Sequence, residues 1–196
     1  MYQGNEKLTY GEKELDFSIQ NFWQWAYSDL IRNVNRGAFA EYIVKTALEF
    51  GTCDSSSTKQ APVRISMDAY DLLNPEGIRI EVKSSAYIQS WESEHPARIS
   101  FRIAPAKTLD ENENYSNKSI YARHSDIYIF CVWTAMSRDE NILDLSLWDF
   151  YVLPTKTLNE KLPNQKTITF GSLLNLHPVK ADFFFLSEAV KQSMKN

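Results

Sequence analysis

The sequence predicts an α/β domain built around one sheet, and three observations support this fold class. Two segments near the N-terminus carry apolar residues at helical spacing, and short alternating or wholly apolar segments follow them. Further helical segments lie near the C-terminus. With 196 residues, 43% of them hydrophobic, the chain is long enough to bury a full core. Helices followed by strands and then by mixed elements indicate one sheet domain.

The elements are predicted from periodicity, caps and turn residues. The first helix covers residues 21–33 with Ser18 as its cap, and the second begins at Arg36 or Gly37 and ends at Phe50. Residues 126–133 are almost wholly apolar, as expected of a central strand buried on both faces. The remaining predictions are strands at 67–74, 78–84, 98–103 and 148–153, a long polar connection at 105–124, and short helices at 172–176 and 181–191.

The composition and charge of the chain argue against several classes of protein. The net charge of −4 argues against a strongly basic nucleic-acid-binding domain, although residues 155–196 carry six positive and three negative charges. The two cysteines form no C-x-x-C pair, so a disulfide scaffold or a structural zinc site is not expected. The chain starts without an apolar signal segment, and no apolar run approaches the ~18 residues of a membrane span. We therefore expect a cytoplasmic protein without a membrane partner.

The most informative segment is a predicted β-hairpin. Residues 74–77 suit a type I turn followed by a left-handed glycine, which closes a three-residue hairpin loop. This loop sets Leu72 opposite Ile80 and Asp71 opposite Glu81. The apolar residues of both strands then share one face, and a slip of one residue would mix the two faces.

The polar face of this hairpin brings together Asp71, Glu81 and Lys83. The two carboxylates are expected roughly 5 Å apart at Cα, and Lys83 stands about 6.7 Å along the strand from Glu81. Paired carboxylates repel each other unless a lysine or a divalent cation compensates them. With the Val82 carbonyl they supply a partial oxygen shell for Mg²⁺ (or Mn²⁺), while Lys83 positions and deprotonates a water molecule. The alternative is a salt-bridge ladder on an exposed sheet face.

This arrangement resembles a known family. Asp71, the triplet at 81–83 and the serines at 84–85 resemble the Asp…Glu-x-Lys core of the PD-(D/E)XK nuclease superfamily, with Tyr70 in place of its proline. The segment 36–41 is similar to the opening helix of archaeal Holliday-junction resolvases.

The resemblance implies a restriction-endonuclease-like α/β/α sandwich, in which helices flank a central mixed sheet. It implies a single nuclease-like domain over 1–196, with a core at about 36–153 and a C-terminal helical appendage at about 155–196. The implied activity is Mg²⁺-dependent endonuclease cleavage of DNA, and the resemblance is compatible with a homodimer. The implied catalytic residues are Glu41, Asp71, Glu81 and Lys83, the metal-binding residues are Asp71, Glu81, Val82 and Glu41, and the substrate-binding residues are Ser84 and Gln89.

Several assignments keep an alternative. Glu41 is either a site acid or a solvated helix residue paired with Lys45. Ser84 and Gln89 either contact substrate or serve ordinary turn chemistry. Three basic residues of the long connection either contact phosphates or are solvated: Lys107, Lys118 and Arg123. For the whole chain, the alternative is a non-enzymatic nucleic-acid-binding or protein-interaction module on the same fold.

Overall fold

The computed structural model describes residues 2–49, 69–91, 95–107 and 121–195. It shows a mixed α/β fold with a five-stranded mixed central sheet, and five α-helices occur in the described ranges. The helices are α1 (Ile19–Tyr27), α2 (Asn33–Glu49), α3 (Thr155–Lys161), α4 (Phe170–Leu174) and α5 (Leu186–Lys195). The strands are β1 (Lys7–Tyr10), β2 (Lys13–Ser18), β3 (Leu72–Leu73), β4 (Arg79–Ala86), β5 (Ser100–Arg102), β6 (Ala106–Lys107), β7 (Tyr121–Ala122), β8 (Ile127–Trp133), β9 (Trp148–Pro154), β10 (Thr167–Thr169) and β11 (Val179–Ala181).

The first helix differs from its prediction. Ser18 caps α1 as expected, because its backbone N–H donates to Asn21 Oδ1 at 2.8 Å. The helix ends at Tyr27 instead of residue 33, since Asp29 accepts the Ile31 N–H at 3.2 Å in a local turn. None of the residues of α1 is buried, so its apolar stripe does not face the core. The antiparallel β1–β2 hairpin before it was not predicted.

The second helix is closer to its prediction. It begins at Asn33, slightly before the expected start at Arg36, and its described part ends at Glu49. Ile43 and Ala47 are buried, as their helical spacing predicted. This buried face packs against the central sheet and positions the rest of the helix, including Glu41.

The central sheet has the strand order β11-β9-β8-β4-β3. The strands β4 and β8 are parallel, whereas the other neighbouring pairs are antiparallel. Every residue of β8 is buried, which confirms the predicted central strand. Its alternate side chains enter two hydrophobic clusters, one on each face of the sheet.

Helices contribute to both clusters. The first cluster joins β4, β8 and β9 to α2 and α5. The second joins the opposite side of β8 and β9 to β5, β10, α3 and α4. Ile99, Phe101 and Ile103 are all buried in this second cluster, as their alternation predicted.

The segment from residue 155 onward contains the helices α3, α4 and α5, of which α4 and α5 overlap the predicted helices at 172–176 and 181–191, and it also contains two strands that were not predicted. It supplies β10, which pairs with β5, and β11, which forms an edge of the central sheet. The first cluster then buries Leu186, Ala189 and Val190 of α5. These short strands lack a strong sequence period, so only their pairing identifies them.

Among the described residues, no helix combines the length and apolar character needed to cross a membrane.

Candidate active site at the β3–β4 hairpin

The hairpin has the predicted register. Leu72 pairs with Ile80, and the Asn74 N–H donates to the Ile78 carbonyl at 3.1 Å. Gly77 has φ of 81°, the left-handed conformation that the turn requires. The Asn74 side chain also accepts the Ile78 N–H at 2.8 Å, which closes the turn from inside.

Asp71 lies where strand pairing ends. Its N–H donates to the Ile80 carbonyl at 3.0 Å, although Ile80 is already paired with Leu72, so the regular ladder ends at Leu72 and does not place Asp71 directly opposite Glu81 as predicted. Its carboxylate then accepts the Val82 N–H at 2.7 Å. Since a residue in an antiparallel ladder directs its N–H and C=O to the same neighbour, the Val82 carbonyl also faces this open edge.

Glu81 and Lys83 lie next to this edge on the opposite side of β4 from the first cluster. The Lys83 ammonium donates to the Glu81 carboxylate, and the two side chains are only 27% and 20% exposed. A second pair, Arg79 with Asp126, joins the start of β4 to β8 at 2.6 Å and is more open to solvent. The alternative interpretation, a salt-bridge ladder on an exposed sheet face, therefore fits the pair of Arg79 and Asp126 better than the less exposed pair of Glu81 and Lys83.

The electrostatics single out Asp71. Burial and the negative charge of Glu81 raise the pKa of Asp71 to about 6, against smaller lowering effects of the Val82 N–H and Lys83. Glu41 also acts to raise it, so helix α2 brings a third acid near the hairpin. Glu41 is 8% exposed, in contrast to a fully solvated helix acid. The site carries more negative charge than Lys83 compensates.

The oxygen donors suit a hard divalent cation. Asp71, Glu81 and the Val82 carbonyl are the ligand types that Mg²⁺ takes, and a cation would relieve the repulsion between the carboxylates. Within the described ranges, no group of three or more His, Cys, Asp or Glu side chains is arranged to hold a metal ion. Asp71, Glu81 and Glu41 therefore do not form a closed three-carboxylate cage, and waters would complete the shell.

A buried arginine ties helix α2 to the site strand. Arg36 is 3% exposed, and its Nε donates to Ser84 Oγ at 3.3 Å. The rest of its guanidinium donates to the Ile31 carbonyl at 3.0 Å and to Asn33 Oδ1 at 2.8 Å. Burial lowers the pKa of Arg36 to about 10, which still leaves it charged at neutral pH.

The two predicted substrate residues have local partners. Ser84 accepts the bond from Arg36, and the Gln89 side chain donates to the Ala86 carbonyl at 2.8 Å. Both bonds are compatible with the structural alternative to substrate contact. Lys107 lies in β6, whereas Lys118 lies outside the described residues.

Arg123 is not a solvated or phosphate-facing charge. It is 7% exposed and donates to the Ile103 carbonyl at 2.7 Å, to Asn159 Oδ1 at 2.8 Å and to the Leu162 carbonyl at 2.9 Å. Its fork of donors joins three segments that are far apart in the chain. That function depends on tertiary contacts, which is why the sequence pattern did not reveal it.

Tyr128 is a site neighbour that sequence reasoning missed. The parallel register sets it beside Glu81, and its side chain is 4% exposed. Burial and the charges of Glu81 and Asp71 raise the pKa of Tyr128, so its hydroxyl stays protonated. The apolar run at 126–133 indicated a strand, but the neighbour of that strand is not encoded locally.

No family model matches this chain, and no curated protein matches its sequence. The candidate site therefore depends on the hairpin register, the burial of its acids and the resemblance of the Asp…Glu-x-Lys pattern.

Proposed function

We propose that this protein is a metal-dependent nuclease of the PD-(D/E)XK type that hydrolyses DNA phosphodiester bonds. The observation that carries the proposal is the grouping of Asp71, Glu81 and Lys83 at a partly buried strand edge, where burial and the charge of Glu81 raise the pKa of Asp71 to about 6. A mixed sheet with helices in the clusters on both faces supports the finer assignment of a restriction-endonuclease-like sandwich.

The proposed roles follow from the chemistry of each group. Asp71, Glu81 and the Val82 carbonyl hold Mg²⁺ or Mn²⁺, and Glu41 supports the metal or its water from α2. A bound divalent cation lowers the pKa of a coordinated water and stabilises negative charge on the phosphate. Lys83, kept in place by Glu81, orients the water through its ammonium and offsets negative charge in the transition state. Tyr128, as a neutral phenol, limits the number of charges around Glu81.

DNA binding depends on groups around this site. Ser84 and Gln89 border it on β4 and on the segment after β4, and the net positive charge of residues 155–196 favours phosphate contact. A homodimer cutting two strands fits the same proposal.

The deciding experiment is cleavage of plasmid and branched DNA with Mg²⁺ or Mn²⁺. We expect nicking or cutting by the wild type and none by Asp71→Ala or Lys83→Ala. Glu76→Gln is the matched control, because it removes an acid from the same hairpin at an exposed ion pair with Lys191. Metal-independent cleavage, or full activity of Asp71→Ala, would contradict the proposal.

Metal binding separates the roles of the residues. Calorimetry should show most Mn²⁺ binding lost in Asp71→Ala and Glu81→Ala, but retained in Lys83→Ala, whose role is in the transition state. Glu41→Gln should lower the cleavage rate at least tenfold, about 1.4 kcal/mol, without lowering thermal stability.

The second candidate is a non-enzymatic binding module on the same fold. The net charge of −4 and the lack of a three-acid metal cluster in the described ranges favour it. It predicts DNA or protein binding without cleavage and no metal dependence in the same assays.

A further inference from the structure

Residues 2–30 form a unit that does not share the core of the protein. We call residues 2–30, which include β1, β2 and α1, the N-terminal arm. Within this stretch only Gly4 is buried, and none of its residues belongs to either hydrophobic cluster. A two-stranded hairpin and a nine-residue helix are each marginally stable alone in water. The arm is therefore expected to bury its apolar side chains elsewhere.

The arm exposes an unusual amount of aromatic surface. Its α1 side chains are in ring contact with one another, Phe22 with Trp25 at 6.4 Å and with Tyr27 at 6.0 Å between centroids. At about 200 Å² per aromatic side chain, the seven aromatics of the arm leave roughly 870 Å² open to solvent. A stable protein interface takes about 800 Å² from each partner. The seven are Tyr2, Tyr10, Phe17, Phe22, Trp23, Trp25 and Tyr27, which are 38–84% exposed.

The charge of the arm indicates which class of molecule it can bind. Residues 2–30 contain two lysines and five acidic residues, so phosphate backbones would be repelled. The C-terminal part of the same chain has the opposite balance, six lysines against three acids over residues 155–196. Opposite charges of this kind steer and orient protein association.

The C-terminal part also offers an apolar counterpart. Phe184 and Phe185, here called the Phe patch, are 67% and 66% exposed just before α5. Asp182 accepts both of their backbone N–H groups, at 3.0 and 3.1 Å, which holds the segment in a defined turn. The arm and the Phe patch are both more than half exposed at most of their aromatic side chains, so a second copy can contact them.

We infer that the N-terminal arm docks on the Phe patch of a second copy of this chain, and that two such contacts close a two-fold dimer. Each copy carries one arm and one patch, so in a two-fold dimer the arm of each copy covers the patch of the other, and no arm or patch is left uncovered. Aromatic side chains at the centre of such an interface supply most of its stability. This inference stands apart from the proposed nuclease function, because it is tested without metal or DNA.

The test is the solution mass of the wild type and two single variants by sedimentation velocity. We expect the wild type at twice the 22.7 kDa chain mass, and Trp25→Asp and Phe185→Asp both at the monomer mass. Both positions are exposed, so neither change opens a cavity. Trp91→Asp is the matched control, since Trp91 is 58% exposed outside both surfaces and its variant should remain dimeric.

Mixing the two variants makes the test specific. Trp25→Asp chains retain an intact Phe patch, and Phe185→Asp chains retain an intact arm. The mixture should form dimers through one remaining contact, although neither variant dimerises alone. A monomeric wild type, a dimer insensitive to both substitutions, or a mixture that stays monomeric would overturn the inference. Circular dichroism of each variant checks that the body remains folded.

Discussion

The central sheet and the N-terminal arm are both rich in aromatic residues, yet they differ in almost every physical respect. In the sheet, Phe130 is fully buried and its ring lies 5.0 Å from Phe101 and 5.7 Å from Tyr128. In the arm, Trp25 is 83% exposed despite the amphipathic helix that carries it. The hydrophobic effect favours burial of the aromatic side chains in both regions, but tertiary packing decides which of them are buried within the chain.

The stabilities of the sheet and the arm are best compared in a monomeric variant, in which the proposed dimer contacts are absent. Each substitution below is therefore made in the Phe185→Asp background, and global unfolding is followed by urea denaturation.

The largest difference is expected from aromatic truncation. Phe130→Ala removes a fully buried ring between two strands and should lower the free energy of unfolding by about 3–5 kcal/mol. Trp25→Ala in the arm should change it by less than about 0.5 kcal/mol, because little surface is buried there. An equal loss in both variants would show that the arm unfolds together with the sheet.

The second difference concerns acids and pH. Asp71 has a folded-state pKa of about 6 against 3.8 when unfolded, so the folded state retains its proton longer as the pH rises. Its favourable contribution is complete below pH 4 and is lost as the pH rises to about 6. Asp71→Asn should therefore match the wild type below pH 4 and exceed its stability above pH 6 by on the order of 2 kcal/mol.

Glu14→Gln is the control for this profile, because Glu14 is exposed in the arm and 3.6 Å from Lys7. It should give no such pH dependence. Mg²⁺ should reduce the advantage of Asp71→Asn above pH 6, since a bound cation stabilises the ionised Asp71 of the wild type. A stability difference that is independent of pH would contradict the electrostatic description of the hairpin.

The smallest difference is expected from two hairpin glycines. Gly77 and Gly11 have φ of 81° and 63°, and an added Cβ would meet nothing within 4 Å at either position. Gly77→Ala should lower the free energy of unfolding by about 1 kcal/mol through backbone strain. Gly11→Ala carries similar strain, but the arm belongs to neither hydrophobic cluster, so we expect it to open locally and global unfolding to stay unchanged. Hydrogen exchange of the β1–β2 amides should detect the local effect.

Turn chemistry made the hairpin predictable. Asn74 through Gly77 specify the loop, and the loop length sets the register, so Leu72 opposite Ile80 followed from local information. Apolar continuity likewise predicted the buried strand at 127–133. In α2, helical spacing identified Ile43 and Ala47 as core residues.

Local sequence patterns gave wrong or missing predictions where contacts between distant segments determine the structure. The aromatic stripe of α1 had the pattern of a core helix, but none of the residues of α1 is buried. Arg123 had the pattern of a loop charge, but carbonyls from distant segments surround it. The short strands β10 and β11 exist because neighbouring strands accept their hydrogen bonds.

The sequence alone determined the hairpin turn and the pairing of Leu72 with Ile80, since turn chemistry and side-chain alternation are local properties. Only the tertiary structure decided that β8 runs parallel beside β4, which places Tyr128 next to Glu81. It also decided that α2 brings Glu41 near Asp71 and that Arg36 bonds to Ser84. Burial and charge at the site arise from segments more than thirty residues apart, and no local pattern encodes the free energy of bringing them together.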